Sequence, residues 1–411
     1  MANVSSSNGL EKRPKLRFPG FDEPWKAIHL SDVGEASSGF GFPDAYQGEE
    51  TSEIPFYKVS DMNLPKNTKI MQQSNNYVSQ STAKKLRVRP FSENAIVFAK
   101  VGAAISHERK RIALSPFLID NNMMAFTPKQ KEDLEFIYHL FQKIKLSKYS
   151  QVGALPSYNA SDILDIRTFY PTSGNERKKI VTILNLVDNR IGKQSEIITN
   201  LKKYKRGAVR CLLSAKSCPL KNARWTTAKM DELGCFIKGA PLSKADISED
   251  GTPFILYGEL YTTYNEVVTS IKRRTQAQVD ETFLSRVGDV VIPTSGETPE
   301  EISTASCVML PDVILAGDLN IFRGDKVDGR IVSYLLNHVV NAKVARIAQG
   351  KSVVHIQASE LCKLTLAYPD KNTQNTIIKF LSKLDDKITN TENSLTFLSD
   401  LKEGLLQQLF I

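Results

Sequence analysis

The chain has 411 residues, 54 Lys and Arg against 45 Asp and Glu, a formal net charge of +9 and a hydrophobic fraction of 41%. That length suits two or three domains, and that composition excludes wholesale disorder. No apolar run reaches the roughly 18 residues of a membrane span, and an odd set of five cysteines without CxxC spacing argues against a disulfide framework or a cysteine zinc site.

In chain order, residues 1–15 are polar, lack the apolar core of a secretion signal, and read as a flexible tail of a cytoplasmic protein. Residues 16–172 then form a first globular unit. Its short apolar runs are broken by Gly, Pro, Ser and Asn. Residues 95–99, 113–114 and 117–119 read as buried strands, and 133–145 as a helix.

Residues 173–215 carry a long helical pattern. Ile180, Leu184, Val187, Ile191, Ile198 and Leu201 alternate at spacings of four and three, with Gln194 filling one slot. Sustained 3.5-residue periodicity marks a coiled-coil seam, in which a buried polar residue sets the register. Residues 216–371 form a second globular unit, with strands near 290–292 and 313–315 and a helix near 330–345. Residues 372–411 repeat the long helix, with its seam at Ile377, Leu381, Leu384, Ile388, Leu395, Leu398 and Leu405 and Thr391 in the polar slot.

The two halves are one pattern written twice. Trp25 and Gly34 align with Trp225 and Gly234; Pro55 and Phe56 with Pro253 and Phe254; Ser161, Tyr170 and Pro171 with Ser359, Tyr368 and Pro369; and Gly207 with Gly404. The expectation is an α+β chain of two pseudo-repeated, mixed globular units. A long helix follows each, and the nearest partner for each seam is the other seam, although helices of a second protein would also serve. A helix of this length spans roughly 50 Å, more than one turn of B-DNA at about 34 Å.

Charge is concentrated. Residues 175–222 contain 12 basic and 3 acidic residues, a net charge equal to that of the whole chain. Lys202, Lys203, Lys205, Arg206 and Arg210 either track phosphates, meet an acidic partner, or solvate the helix and complement its C-terminal dipole. Further clusters fall where loops are expected: Lys84, Lys85 and Arg87; Arg109 and Lys110; and Lys272, Arg273 and Arg274 after Tyr257. Such side chains bind phosphates or guanine edges, and they equally decorate a solvated surface.

Catalytic signatures are missing from the sequence. It has no GxxxxGK[ST] loop, no GxGxxG, no HExxH and no Asn/Asp-Pro-Pro-aromatic tetrapeptide, and its five histidines are scattered. The reading is therefore of a non-catalytic chain. A coiled-coil scaffold that binds proteins rather than DNA uses the same seams, and an enzyme of unrecognised type is the third possibility.

Pro14, Phe18, Pro19, Gly20 and Phe21 ahead of Trp25, the two Trp…Gly strand starts and the twin helical segments together resemble the specificity subunit of a type I restriction–modification system. The resemblance covers nearly the whole chain. It implies two target recognition domains, each followed by a conserved spacer helix, with the two helices pairing as an antiparallel coiled coil. Each domain would read one half of a bipartite, asymmetric site in double-stranded DNA.

The implied partners are two modification subunits, which use S-adenosylmethionine to methylate adenine N6, and two restriction subunits, which use ATP and Mg2+. This chain itself would carry no cofactor and no metal. In that family a strand followed by a small polar turn lies near DNA. The corresponding residues are Lys100 and Gly102 in the first half and Thr294 and Ser295 in the second, with Lys58 and Ser60 matched to Tyr257 and Glu259.

Overall fold

The computed structural model describes residues 11–151, 155–348 and 354–411. Two compact units divide the chain, and the long helices belong to both. The first unit comprises residues 1–194 with 394–411, and the second comprises 195–393. Each long helix has 39 residues, Gly174–Leu212 and Lys371–Leu409, so each gives one half to each unit.

In the first unit, Trp25–His29 pairs antiparallel with Arg167–Tyr170, the strand that leads into the first long helix. A four-stranded sheet follows, in the order Gly34–Ser38, Met123–Pro128, Ala95–Ala99, Lys110–Ala113. Helix Leu134–Lys143 packs Phe136, Ile137, Leu140 and Phe141 into the same core as Phe98 and Phe126. A smaller sheet joins Ile54–Tyr57 to Tyr77–Val78 and, in parallel, to Leu118–Ile119.

The second unit repeats the scheme. Trp225–Lys229 pairs with Thr365–Pro369, and Cys235–Lys238, Leu319–Arg323, Asp289–Pro293 and Ser306–Val308 lie side by side. Val267–Val268 extends that sheet as a fifth strand. Helix Gly329–His338 takes the place of the first unit's helix.

The duplication expected from the sequence is therefore structural. The two mixed units are each followed by a long helix, and the helices run antiparallel. In the second unit, Lys202 pairs with Glu392 at 2.7 Å and Lys205 with Asp385 at 2.5 Å, so one helix descends as the other rises. In the first, Asp188 meets Lys402 at 2.6 Å, while Ile180 and Leu184 share a core with Leu406, Leu409 and Phe410.

Of the expected seam, Ile180, Leu184, Val187, Ile198, Ile377, Leu381, Leu384 and Ile388 are buried. Ile191, Leu201, Leu395, Leu398 and Leu405 are half-buried. The expected tail begins its ordered structure early. Glu11–Lys12 pairs with Trp25 and Lys26, and Arg17 reaches Glu176 at 2.8 Å; residues 1–10 lie outside the described residues.

Each helix pair is tied to its unit by polar groups. Lys205 lies one turn beyond Leu201 on the apolar seam and is buried. Its ammonium lies 2.7 Å from Glu266 and 5.3 Å from the ring centroid of Tyr334, besides its contact with Asp385. Tyr334 donates to Asp385 at 2.9 Å, and His338 Nε2 meets Glu266 at 2.5 Å. Burial pulls the Lys205 ammonium down, but Glu266 and Asp385 more than offset this, so its pKa ends above the ordinary value. Burial alone would raise Glu266; the hydrogen bond with His338 and the charge of Lys205 overcome it and hold the carboxyl at about 2.

The first unit keeps the helix-to-helix pair, Asp188 with Lys402, and reverses the charge on the globular side. Cys307 N donates to the Glu266 carbonyl as Ile112 N donates to that of Lys69, so Lys69 stands where Glu266 stands. Lys69 pairs with Glu135, reaches Asn185 Oδ1 at 2.7 Å and lies over Tyr138.

Two outcomes follow from the charged cluster. Lys205→Met takes the cation away from largely buried Glu266 and half-buried Asp385 and should destabilise the second unit by about 3–5 kcal/mol in denaturant unfolding. Because Glu266 is depressed from 4.5 to about 2, its contribution is present above 4.5 and lost as pH falls towards 2. The stability gap between wild type and Glu266→Gln should therefore close across that window in acid titration.

Candidate nucleic-acid interface

The strand register superimposes the two large sheets. Gly39 N donates to the Met123 carbonyl and Gly239 N to that of Leu319; Lys100 N donates to Asn122 and Thr294 N to Asp318. At one end of each sheet, three equivalent positions therefore gather on neighbouring strands, two of them adjacent and the third two residues out of that register. In the first unit they are Ser38, Lys100 and Asn122, and in the second Lys238, Thr294 and Asp318.

Lys100 Nζ donates to Ser38 Oγ at 3.0 Å, and Ser295 Oγ donates to Asp318 Oδ2 at 3.4 Å. Ser38, Asn122, Lys238 and Asp318 are exposed, while Lys100 and Thr294 are half-buried. Each trio holds one lysine, at the end of an inner strand in one unit and of the edge strand in the other.

Beside Lys100, Gly102 has φ +78 and turns the chain away from the strand, with its N–H bonded to the Pro156 carbonyl. This backbone region favours glycine, because a Cβ there meets the flanking carbonyl. In the second unit, Ser295 and Gly296 pair with Val354–His355.

The other expected residues distribute as follows. Lys84 and Lys85 end helix Gln80–Lys85 and are exposed, as is Arg87, whose φ is +56. Lys58 is half-buried and donates to Gln47 at 2.8 Å; Ser60 is exposed. Lys272, Arg273 and Arg274 are exposed, with Arg273 and Arg274 on a strand rather than a loop. Arg274 donates to the Gly251 carbonyl, and the Lys272 N–H donates to Tyr264. Tyr257 is half-buried among apolar side chains of the second core.

Three expectations need correction. Lys110 is 2% exposed, on a strand, with Nζ held by Glu108 at 2.5 Å and by the Ile144 carbonyl at 2.9 Å. Burial lowers its pKa and Glu108 opposes the shift. This cation closes a core and does not face solvent; its neighbour Arg109 is half-buried.

Glu259 is buried too, accepting from Leu256 N at 3.1 Å and pairing with Arg273 at 3.3 Å. Asp61 accepts from Lys58 N in the same way, which makes the Glu259 position a turn cap in both units. Lys205 belongs to the internal cluster and tracks no phosphate.

Ser38, Asn122, Lys238 and Asp318 were missed in the sequence. Counting four residues from Gly34 and Gly234, whose alignment was visible, would have found the first and third. Asn122 and Asp318 need the strand pairing.

The trios have different reading capacities. Lysine donates to guanine O6 and N7, asparagine pairs with adenine N6 and N7, and aspartate accepts from cytosine N4. Among the described residues, no cluster of three His, Cys, Asp or Glu is arranged to hold a metal ion, and no helix is long and apolar enough to cross a membrane.

A family model described as the type I restriction modification DNA specificity domain matches the chain twice, over residues 22–203 and 222–396. The chain is 26% identical over 184 residues to the type I restriction enzyme MjaIX specificity subunit of Methanocaldococcus jannaschii, a match spanning 44% of this chain and 41% of that relative's length. The fold is similar to the crystal structure of a type I restriction–modification S subunit from M. genitalium, with a TM-score of 0.59 at 13% identity over 97% of this chain and 99% of that one. A second solved chain, from a study of complex assembly and conformational transition of the type I system, aligns with a TM-score of 0.57 at 15% identity over 96% and 99%.

Substitution separates interior from surface cations. Lys110→Ala should lower the stability of the first unit by about 3–5 kcal/mol, because Glu108 loses its buried partner. Lys85→Ala should leave thermal unfolding within about 0.5 kcal/mol of wild type.

Proposed function

This chain belongs to the type I restriction–modification DNA specificity family, and from that premise we propose that its two units are target recognition domains reading the two unlike halves of a bipartite DNA site. The observation that carries the proposal is the pair of equivalent sheet ends with different polar side chains, Ser38, Lys100 and Asn122 against Lys238, Thr294 and Asp318. One scaffold used twice with different base-edge chemistry suits an asymmetric site, whereas identical readers related by symmetry suit a palindrome.

In this reading the chain supplies recognition and the chemistry lies on its partners. Two modification subunits bring S-adenosylmethionine and methylate adenine N6; two restriction subunits bring ATP-dependent translocation and cleavage with Mg2+. Lys100 and Lys238 donate to base edges at their respective half-sites. Asn122 suits adenine, and Asp318 suits cytosine. Exposed Lys84, Lys85, Arg87, Lys272 and Arg274 meet phosphates, which adds affinity without sequence information.

The long helices set the distance between the two half-sites. The buried seam and the Lys205 and Lys69 clusters hold the helix segments of each unit on that unit.

A genomic N6-methyladenine map, made with and without this chain in a host supplying the modification subunit, tests the reading. A chain-dependent motif with two unlike halves and a fixed unread gap is expected. A scaffold without DNA specificity would produce no such motif.

Within that assay, Lys100→Ala should relax one half-site and Lys238→Ala the other, each by about 1–3 kcal/mol of discrimination at one base pair. Relaxation of the same half by both variants would contradict the assignment. Lys85→Ala should instead weaken binding to all sequences and reduce its salt dependence.

A further inference from the structure

The two sheet ends differ in what stands behind the third member of each trio. Asp120 lies just ahead of Asn122 in the chain and is 5% exposed. Its Oδ1 accepts from the Asn122 backbone N–H at 3.2 Å, and its Oδ2 accepts from the Asn122 side-chain Nδ2 at 3.4 Å. Burial raises the pKa of this carboxyl; the hydrogen bonds from Asn122 and the charge of Lys58 oppose the rise, and Asp61 adds to it.

The backbone identifies the equivalent residue of the second unit. Asp120 N donates to the Tyr57 carbonyl and Ala316 N to that of Ile255, and Phe40 bridges to Asp120 as Ala240 does to Ala316. Ala316 therefore stands where Asp120 stands, and Leu256, which follows Ile255, stands where Lys58 stands. Both are buried. The turn cap is kept in both units, as Asp61 and Glu259. This end of the sheet is thus built in the second unit without any counterpart of Lys58 and Asp120.

The side chain in front supplies the reason. Asp318 presents two like oxygens, and turning a carboxylate over changes nothing. A carboxamide has a donor end and an acceptor end. Adenine offers N7 as acceptor and N6 as donor in a fixed order, so an asparagine turned over sets its N–H against the N6 amino group. An ionised carboxylate only accepts, and Asp120 therefore keeps the Nδ2 end of Asn122 to itself. One N–H is used there, and the other N–H and Oδ1 remain for a base edge.

We propose that Asp120 is a positioning residue that fixes the Asn122 amide in the orientation that reads adenine, and that the second unit lacks it because Asp318 has no orientation to fix. The inference rests on the half-site reading proposed above.

The test uses the complex of the full chain with the modification subunit. It measures methylation of duplexes that carry each of the four base pairs in turn along the half-site read by the first unit, as located by the methylation map. Asn122→Ala should lower the preference for adenine at one base pair by at least about fivefold. Asp120→Asn keeps an acceptor for the Asn122 backbone N–H but places an amide beside Nδ2. It should lower the preference at the same base pair by a comparable factor, as should Asp120→Ala, with the other half-site unchanged.

In an Asn122→Asp background the sign reverses. Adding Asp120→Ala there removes a repelling carboxylate, installs the second unit's pair and should strengthen discrimination, whereas an Asp120 that only supports the fold is harmful to lose in both backgrounds. Circular dichroism and thermal unfolding monitor the fold of every variant. Wild-type adenine preference in folded Asp120→Asn and Asp120→Ala would overturn the positioning role while leaving the reading by Asn122 intact. Unchanged discrimination at every base pair in Asn122→Ala would overturn both.

Discussion

An apolar stripe along a long helix cannot remain in water. A fully buried Leu or Ile gains roughly 1.5–3 kcal/mol over an exposed one, and each helix carries several of them. This requirement organises the chain. The first half of one long helix and the second half of the other cover each other in the first unit, and the remaining halves do so in the second. Residues near position 180 therefore share a core with Leu409 and Phe410, and Val209 and Leu213 share one with Ile377 and Leu381. The first unit is incomplete without residues 394–411 from a distant part of the chain, whereas the second is one continuous stretch, 195–393, with a helix segment at each end.

Burying the seam also buries polar groups, and each unit satisfies them with ion pairs. In the second unit Lys205 comes from the helix and its counter-charges from the globular part and the other helix. In the first, Lys402 of the helix meets Asp188 of the other helix, and Lys69 of the globular part meets Glu135 and Asn185. Reversing the charge on the globular side leaves the architecture intact, because an ion pair needs a partner at hydrogen-bond distance and is indifferent to which element supplies it. The cost of breaking such a pair is high, so each helix segment is held in one place against its unit.

The same freedom operates at the sheet ends. Backbone hydrogen bonds fix the three positions, and side chains there can vary without loss of register. Lysine stands at the end of an inner strand in one unit and of the edge strand in the other, and Asn122 of the first unit is replaced by Asp318 in the second. A duplicated scaffold thus acquires two chemistries, as the proposed reading of two unlike half-sites would require.

Local pattern in the sequence determined the duplication, the two seams, the long helices, the mixed α+β units and the family resemblance, because periodicity and motif order are properties of neighbouring residues. Lys100 and the strand-end turn at Gly102 were legible for the same reason. Tertiary structure alone decided the fate of the charged residues. Lys110, Glu259 and Lys205 look like surface groups in a basic or turn-rich stretch, and they are buried because Glu108, Leu256 N–H and Glu266 meet them in three dimensions. Lys238 and Asp318 come to the same end of one sheet only through strand pairing. Side-chain type sets what a residue can bind, but its neighbours across the fold decide whether that capacity is spent inside the protein or remains for a partner.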